Sequence, residues 1–304
     1  MTILPKTLFQ RNRLCALFTS KQYLSSSKRN QSKSDHQAKM MARGLPEKKP
    51  IEGVKHIILV SSGKGGVGKS TVSVNLALAL KRVNPSGNIG LLDSDVFGPS
   101  IPLMMNLSEV PLVNQDKMIE PLQNYGIKCM SMGLLIEPGA AIIWRGLMVM
   151  QALQKLMRGV NWKGIDYLII DTPPGTGDTH LSLIQNLPIS GVVLVTTPQV
   201  AALEVTKRGA TMLHKLSVPI IGIIENMSSA ICPKCNTEIS IFGNKTKDLA
   251  SEINCSILER IPLEHNISES NDRGTPIVVE NPDHATSKSF NRLAKNVIKF
   301  IENK

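Results

Sequence analysis

The chain has 304 residues, of which 42% are hydrophobic and 19% charged, and no apolar run approaches the roughly 18 residues of a membrane span. These values exclude an integral membrane protein and a wholly disordered chain, and they leave room for one large α/β domain or two small ones. The net charge is +11, but residues 1–49 alone carry +9, so nucleic-acid binding by the nearly neutral remainder has little support.

The N-terminal arm has the composition of a targeting segment. Residues 1–34 contain seven Lys or Arg, no acidic residue and a serine run at 25–27, and Leu14, Leu17 and Phe18 share one helical face. A basic, serine-rich, acid-poor and locally amphipathic segment is typical of a mitochondrial transit peptide. We therefore expect residues 1–45 to be a transit peptide with a flexible leader, and the protein to reside in the mitochondrial matrix. The alternative is a disordered basic tail on a cytosolic protein.

A glycine-rich segment follows the first predicted strand. Residues 56–61 form an apolar, β-branched run, and residues 71–82 read as a helix with one core-facing side. The segment between them matches G-x-x-x-x-G-K-[ST], whose backbone N–H groups surround phosphate oxygens at a helix N-terminus. It predicts ATP binding, with Lys69 on the β- and γ-phosphates and Ser70 on Mg²⁺. The expected nucleotide-binding positions are Gly63, Lys64, Gly65, Gly66, Val67, Gly68, Lys69, Ser70 and Thr71.

Two further predicted strands end in carboxylates. Residues 89–95 end with Asp93 and Asp95, and residues 167–171 end with Asp171, which fits the Walker B pattern. Because ligands of open α/β sheets bind at the carboxyl ends of the strands, these groups are expected near the phosphates. Asp93 and Asp171 are the candidate Mg²⁺ ligands, directly or through water.

Later segments continue the alternation of short apolar strands and helices. Strands are predicted at 192–196 and 219–224, with a helix over 201–216 between them. The pattern predicts a three-layer P-loop NTPase fold, with a mostly parallel central sheet and helices on both faces, in one domain over residues 46–304. The amphipathic C-terminal segment 287–304 is expected to pack on the sheet, although peripheral contact with a membrane surface is the alternative.

Cys232 and Cys235 form a C-x-x-C pair in a polar loop predicted over residues 231–243. Two thiolates cannot complete a four-ligand zinc or iron–sulfur site, so the missing pair would come from a second chain. Spacing alone does not distinguish a [4Fe–4S] cluster from zinc, and a redox disulfide is a further alternative.

The extra lysine at Lys64 makes the P-loop resemble the deviant Walker A group of ParA/MinD-like ATPases. Together with the cysteine pair, the chain resembles the Mrp/ApbC family of iron–sulfur carriers, and more narrowly its mitochondrial nucleotide-binding-protein-like type. The resemblance spans residues 43–304. The matching segments are Gly44–Pro46, Lys49–Val54, Ser62–Thr71, Asp95–Ser100, Trp144–Gly146, Pro173–Asp178 and Asn226–Ser228.

The resemblance implies a homodimer that sandwiches two Mg-ATP molecules and shares one labile cluster. Lys64 would reach the partner's nucleotide, Asp95 in switch I would activate the attacking water, and Asn226 would contact the adenine. It also implies slow ATP hydrolysis, iron–sulfur donors, and recipient apoproteins among complex I subunits, with no stable membrane insertion. The rival interpretations are a zinc-bridged targeting ATPase and a MinD/ParA-like positioning ATPase.

Overall fold

The structure is a computed structural model that describes residues 48–136, 144–175, 177–232, 234–235 and 237–304. The predicted transit peptide and leader lie outside the described residues, as does Thr176 within the matching segment Pro173–Asp178. Pro233 and Asn236, close to the cysteine pair, also lie outside them.

A mostly parallel sheet forms the centre of the described region. Its strands run in the order β3-β4-β2-β5-β1-β6-β7, with β9 pairing alongside β7 and β8 pairing with the end of β7. Only β3 and β8 are antiparallel to their neighbours. The strands are β1 Val54–Ser62, β2 Ile89–Asp93, β3 Leu122–Asn124, β4 Ile127–Ser131, β5 Ile165–Asp171, β6 Gly191–Thr196, β7 Ile220–Ile231, β8 Glu238–Ile239 and β9 Ile257–Leu263.

Helices cover both faces of this sheet, because the central strands are apolar on both sides. Ile58 and Val60 of β1 pack with one helical layer, whereas Ile57 and Leu59 of the same strand pack with the other. The three-layer fold predicted from the sequence is confirmed. The helices are α1 Lys69–Val83, α2 Ile101–Met104, α3 Gly146–Arg158, α4 Asp178–Asn186, α5 Val200–Lys215, α6 Thr246–Glu252, α7 His265–Asp272, α8 Ile277–Glu280 and α9 Ala285–Glu302, with a 3₁₀ turn at Met132–Leu134.

The C-terminal helix α9 belongs to the core. Its apolar stripe is buried in the same cluster as α1 and β9, so this stripe is not available to a membrane surface. Across the described ranges, no helix has both the length and the apolar character needed to cross a bilayer. The buried stripe consists of Phe290, Leu293, Ala294, Val297 and Ile301.

The seventh strand is longer than the sequence indicates. It was expected over residues 219–224, but β7 continues to Ile231, so Asn226 lies within the strand rather than after it. The predicted loop 231–243 also contains β8, which pairs with residues 230–231 of β7. Pairing with β9 on one side and β8 on the other extends β7 beyond its apolar run. The cysteine pair therefore sits at the turn of a short hairpin.

Candidate functional site

The P-loop connects the end of β1 to the start of α1, at the edge where the parallel strands end. It borders a pocket of about 240 Å³. Seven of the nine predicted nucleotide-binding positions line this pocket, together with Asp95. Of the other two, Val67 is buried and Gly63 packs against the backbone of α5. The lining P-loop residues are Lys64, Gly65, Gly66, Gly68, Lys69, Ser70 and Thr71.

Gly68 is required by the shape of the loop for two reasons. Its φ of +81° lies in the left-handed region that favours glycine. In addition, a Cβ at this position would lie 2.1 Å from the Asn226 Nδ2 atom. That same amide nitrogen donates a hydrogen bond of 2.8 Å to the carbonyl of Val67. Asn226 thus supports the P-loop from behind, and its predicted adenine contact remains a prediction.

Asp171 is surrounded by three donors from the first turns of α1. Lys69 Nζ lies 2.8 Å from Asp171 Oδ1, and the Ser70 hydroxyl donates to Oδ2 at 2.6 Å. Ser73 donates to Oδ1 at 2.5 Å. Ser73 was not predicted as a site residue, although its position three and four residues after Ser70 and Lys69 places all three on one helical face. The P-loop and the Walker B carboxylate therefore form one buried polar network.

Asp93 is buried and does not line the pocket. Its carboxylate accepts hydrogen bonds from the Ser131 hydroxyl and from the backbone N–H groups of Asp95 and Ile101. Its carboxylate therefore holds both ends of the segment 95–101 through backbone hydrogen bonds. Burial and the nearby Asp171 carboxylate raise the pKa of Asp93 to about 7, against the opposing effect of Lys69. Its role as an Mg²⁺ ligand stays a prediction.

The two residues expected to act in hydrolysis lie at the rim of the pocket. Lys64 is exposed, and its carbonyl accepts a hydrogen bond from the Ser62 hydroxyl. Asp95 is half-buried, and its carboxylate accepts a bond from the Gly98 N–H. Both side chains can therefore approach a ligand in the pocket.

His180 is a second residue of the site that belongs to none of the predicted motifs. It lies in α4, is 1% exposed, and its Nε2 atom is 3.4 Å from the Ser61 hydroxyl at the end of β1. Within the described part of the chain, its Nδ1 atom has no hydrogen-bond partner. Burial and the positive charge of Lys69 lower the pKa of His180 to about 4. A neutral imidazole therefore connects helix α4 to strand β1, which precedes the P-loop.

The cysteine pair lies at the turn between β7 and β8. The Cys232 N–H donates to the carbonyl of Thr237 at 3.0 Å, and the Cys235 thiol donates to the Thr237 hydroxyl at 3.3 Å. Cys235 is exposed, and its hydrogen bonds with Thr237 and Cys232 lower the pKa of its thiol. By contrast, burial raises the pKa of Cys129 and raises that of Cys255 to about 11. Among the four cysteines that the structure describes, the C-x-x-C pair is thus the one suited to thiolate ligation.

Within the described residues, the cysteine turn offers too few ligands for a complete metal site. Over the described residues, no three side chains of His, Cys, Asp or Glu are grouped so that they could hold a metal ion. Two thiols at one turn correspond to half of a four-thiolate site. This arrangement can accept a metal or cluster only together with ligands from elsewhere.

Comparison with known proteins gives matches over most of the chain. The NUBPL iron-transfer P-loop NTPase group of the ParA family matches residues 53–298, a range that contains both the P-loop and the cysteine pair. The iron-sulfur cluster transfer protein NUBPL of Mus musculus is 50% identical over 264 residues, or 86% of this chain and 83% of the mouse protein. The iron-sulfur protein required for NADH dehydrogenase, mitochondrial, of Arabidopsis thaliana is 50% identical over 253 residues, 83% of this chain and 80% of its own.

A solved structure is similar in both sequence and fold. It is a nucleotide-binding protein from Archaeoglobus fulgidus in complex with ADP, 33% identical to this chain. The TM-score is 0.64, and the match covers 77% of this chain and 91% of the other.

Proposed function

The chain belongs to the NUBPL iron-transfer P-loop NTPases of the ParA family, and from this premise we propose that it is an ATP-dependent carrier of a labile [4Fe–4S] cluster. Two copies would share one cluster, which is cargo, through Cys232 and Cys235 of each. The carrier would receive the cluster from an iron–sulfur donor and deliver it to recipient apoproteins, with complex I subunits as the expected destination. The Arabidopsis relative, which is required for NADH dehydrogenase, supports that destination.

The observation that carries the proposal is the pair of accessible thiols at the β7–β8 turn. Cys235 is exposed and Cys232 half-buried, and the pKa of the Cys235 thiol is lowered by its hydrogen bond to Thr237. Two such turns related by a two-fold axis would supply the four thiolates of a [4Fe–4S] cluster. Lability follows, because a cluster held between two chains is released when they separate.

The pocket at the P-loop supports binding of Mg-ATP. The Ser70 hydroxyl and the Asp171 carboxylate lie 2.6 Å apart, with Asp95 along the same pocket, and oxygen donors of this kind suit Mg²⁺. When bound, Mg²⁺ would neutralise phosphate charge. Lys69 would orient the β- and γ-phosphates, Lys64 would contact the nucleotide of the second copy, and Asp95 would accept a proton from water.

A physical link between the two sites is strand β7. Asn226 in this strand bonds to the P-loop carbonyl of Val67, and Cys232 follows the end of the same strand. A shift of the P-loop on nucleotide binding would therefore move the strand that carries the cysteine turn. We propose that nucleotide binding or slow hydrolysis alters cluster retention through this strand.

The printed name of the Arabidopsis relative supports a mitochondrial location, and we propose the matrix, with residues 1–45 as the targeting segment. A fusion of residues 1–45 to a fluorescent reporter should be imported into mitochondria and become resistant to external protease. A fusion in which the basic residues at 6, 11, 13 and 21 are replaced by glutamine is the control. A diffuse cytosolic signal from the unaltered fusion would contradict the proposal.

The decisive experiment is anaerobic reconstitution of the full chain with iron and sulfide. Iron, sulfide and zinc contents and the EPR spectrum are measured for the wild type and for Cys232→Ser, Cys235→Ser and Cys255→Ser. About four iron and four sulfide per two chains are expected for the wild type and for the Cys255→Ser control, and almost none for the other two variants. Tightly held zinc without a cluster would instead favour the zinc-bridged targeting ATPase.

A further inference from the structure

Ser73 is completely buried in α1, one turn after Lys69. Its hydroxyl lies 2.5 Å from Asp171 Oδ1 and 3.1 Å from the Lys69 carbonyl. A hydroxyl has one proton to donate, and the short distance to the carboxylate is that of a charge-assisted bond. The proton therefore goes to Asp171, and the carbonyl contact is secondary.

Asp171 is fully buried, so solvent cannot replace a partner that it loses. Its Oδ1 atom is shared by Lys69 and Ser73, and its Oδ2 atom is bonded by Ser70. In the proposed function, the Lys69 ammonium binds the phosphates and the Ser70 hydroxyl coordinates Mg²⁺. Both partners then divide their interactions between Asp171 and a ligand. Ser73 does not line the pocket, so its hydroxyl does not divide its interactions between Asp171 and a ligand.

From this geometry we infer that Ser73 is a positioning residue, which holds the Asp171 carboxylate in place while Lys69 and Ser70 bind Mg-nucleotide. The inference rests on the proposed nucleotide function and adds a residue that neither the P-loop pattern nor the Walker B pattern contains. Without the Ser73 hydroxyl, Asp171 Oδ1 would depend on Lys69 alone. Transfer of Lys69 to the phosphates would then leave a buried carboxylate oxygen without a partner, which is unfavourable.

The test measures how much Mg²⁺ increases nucleotide affinity. The full-length wild type, Ser73→Ala and Ser73→Thr are titrated with N-methylanthraniloyl-ATP, once with Mg²⁺ and once with EDTA. The ratio of the two dissociation constants gives the Mg²⁺-dependent gain. A matched control is Ser287→Ala, which removes another fully buried serine hydroxyl, one that bonds to the carbonyls of Ile277 and Asn281 rather than to Asp171.

Ser73→Ala should lower the Mg²⁺-dependent gain by about tenfold, because a hydrogen bond to a buried charge is lost. Ser73→Thr retains the hydroxyl and should keep most of the gain, and Ser287→Ala should keep all of it. An unchanged gain in Ser73→Ala would overturn the inference, as would equal losses in Ser73→Ala and Ser287→Ala. A wild type that binds no Mg-nucleotide would overturn the proposed function itself, and the inference with it.

Discussion

Asp93 and Asp171 lie directly opposite each other at the ends of the adjacent parallel strands β2 and β5, and both are buried. Burial and the negative charge of the facing Asp171 carboxylate together explain the raised pKa of Asp93. Lys69 supplies the compensating positive charge, because its ammonium contacts Asp171 and favours the ionised form of Asp93. The P-loop lysine thus has a structural role as well as the proposed role in nucleotide binding.

Replacing Lys69 and Lys64 one at a time distinguishes the part that each lysine plays in ATP binding and in ATP turnover. Lys69→Ala should weaken ATP binding by about 10- to 100-fold while the chain remains folded, because Ser70 and Ser73 still donate to Asp171. Lys64→Ala removes an exposed side chain and should leave ATP affinity nearly unchanged. It should lower ATP turnover by about 10³-fold, since a cross-interface cation stabilises charge in the transition state.

Isothermal titration and a steady-state phosphate-release assay measure these two effects, and circular dichroism verifies folding. Wild-type ATP affinity in Lys69→Ala would show that the phosphate site is elsewhere. Turnover in Lys64→Ala equal to that of the wild type would count against a role for Lys64 across a dimer interface.

Two glycines of the P-loop have similar backbone conformations but different surroundings. Gly66 has a φ of +79° and open space around its Cα, whereas a Cβ at Gly68 would overlap the amide of Asn226. Gly66→Ala should therefore cost only the backbone strain, about 1 kcal/mol of the free energy of unfolding. Gly68→Ala should cost at least about 2 kcal/mol, because the bond between Asn226 and Val67 must break as well.

Urea denaturation of the two glycine variants gives the comparison, with Gly66→Ala as the matched control for strain. ATP affinity should fall further in Gly68→Ala than in Gly66→Ala. Equal destabilisation of the two variants would mean that Asn226 does not support the loop.

His180 makes stability depend on pH. Its pKa is lowered from 6.5 to about 4, so the folded state takes up this proton less readily than the unfolded chain. The stability gained by keeping the imidazole neutral is complete above about pH 6.5 and is lost as the pH falls towards 4. Asp93 acts in the opposite direction, because an acid with a raised pKa favours the folded state as the pH falls below about 7.

His180→Gln removes the contribution of His180 to this pH dependence and leaves that of Asp93. Relative to the wild type, the free energy of unfolding of this variant should rise by roughly 2–3 kcal/mol between pH 7 and pH 4. Urea denaturation at several pH values measures it. His265→Gln is the control, since that side chain is exposed and, among the described residues, pairs only with Glu269. A pH profile of His180→Gln parallel to that of the wild type would show that His180 titrates normally.

The local sequence was sufficient to predict features that are formed by residues close together along the chain. The P-loop between an apolar strand and a helix was predicted, and it lies at that junction between β1 and α1. The prediction from sequence fell short where pairing with a distant segment sets the length of a strand. Strand β7 continues past its apolar run because β8 and β9 pair with it, and neither partner is evident from residues 219–224.

The layer architecture and the family could be predicted from the amino-acid sequence, because strand–loop–helix periodicity, the glycine spacing of the P-loop and the C-x-x-C pair are local patterns. The neighbours of the two buried carboxylates depend instead on how the chain packs. Ser73 and His180 carry no motif, and they acquire their roles because α1 and α4 pack against the ends of β5 and β1. Long-range packing also buries the apolar stripe of α9, since its position is set by α1 and β9. Burial and hydrogen-bond partners are properties of the packed chain, and spacing along the sequence does not contain them.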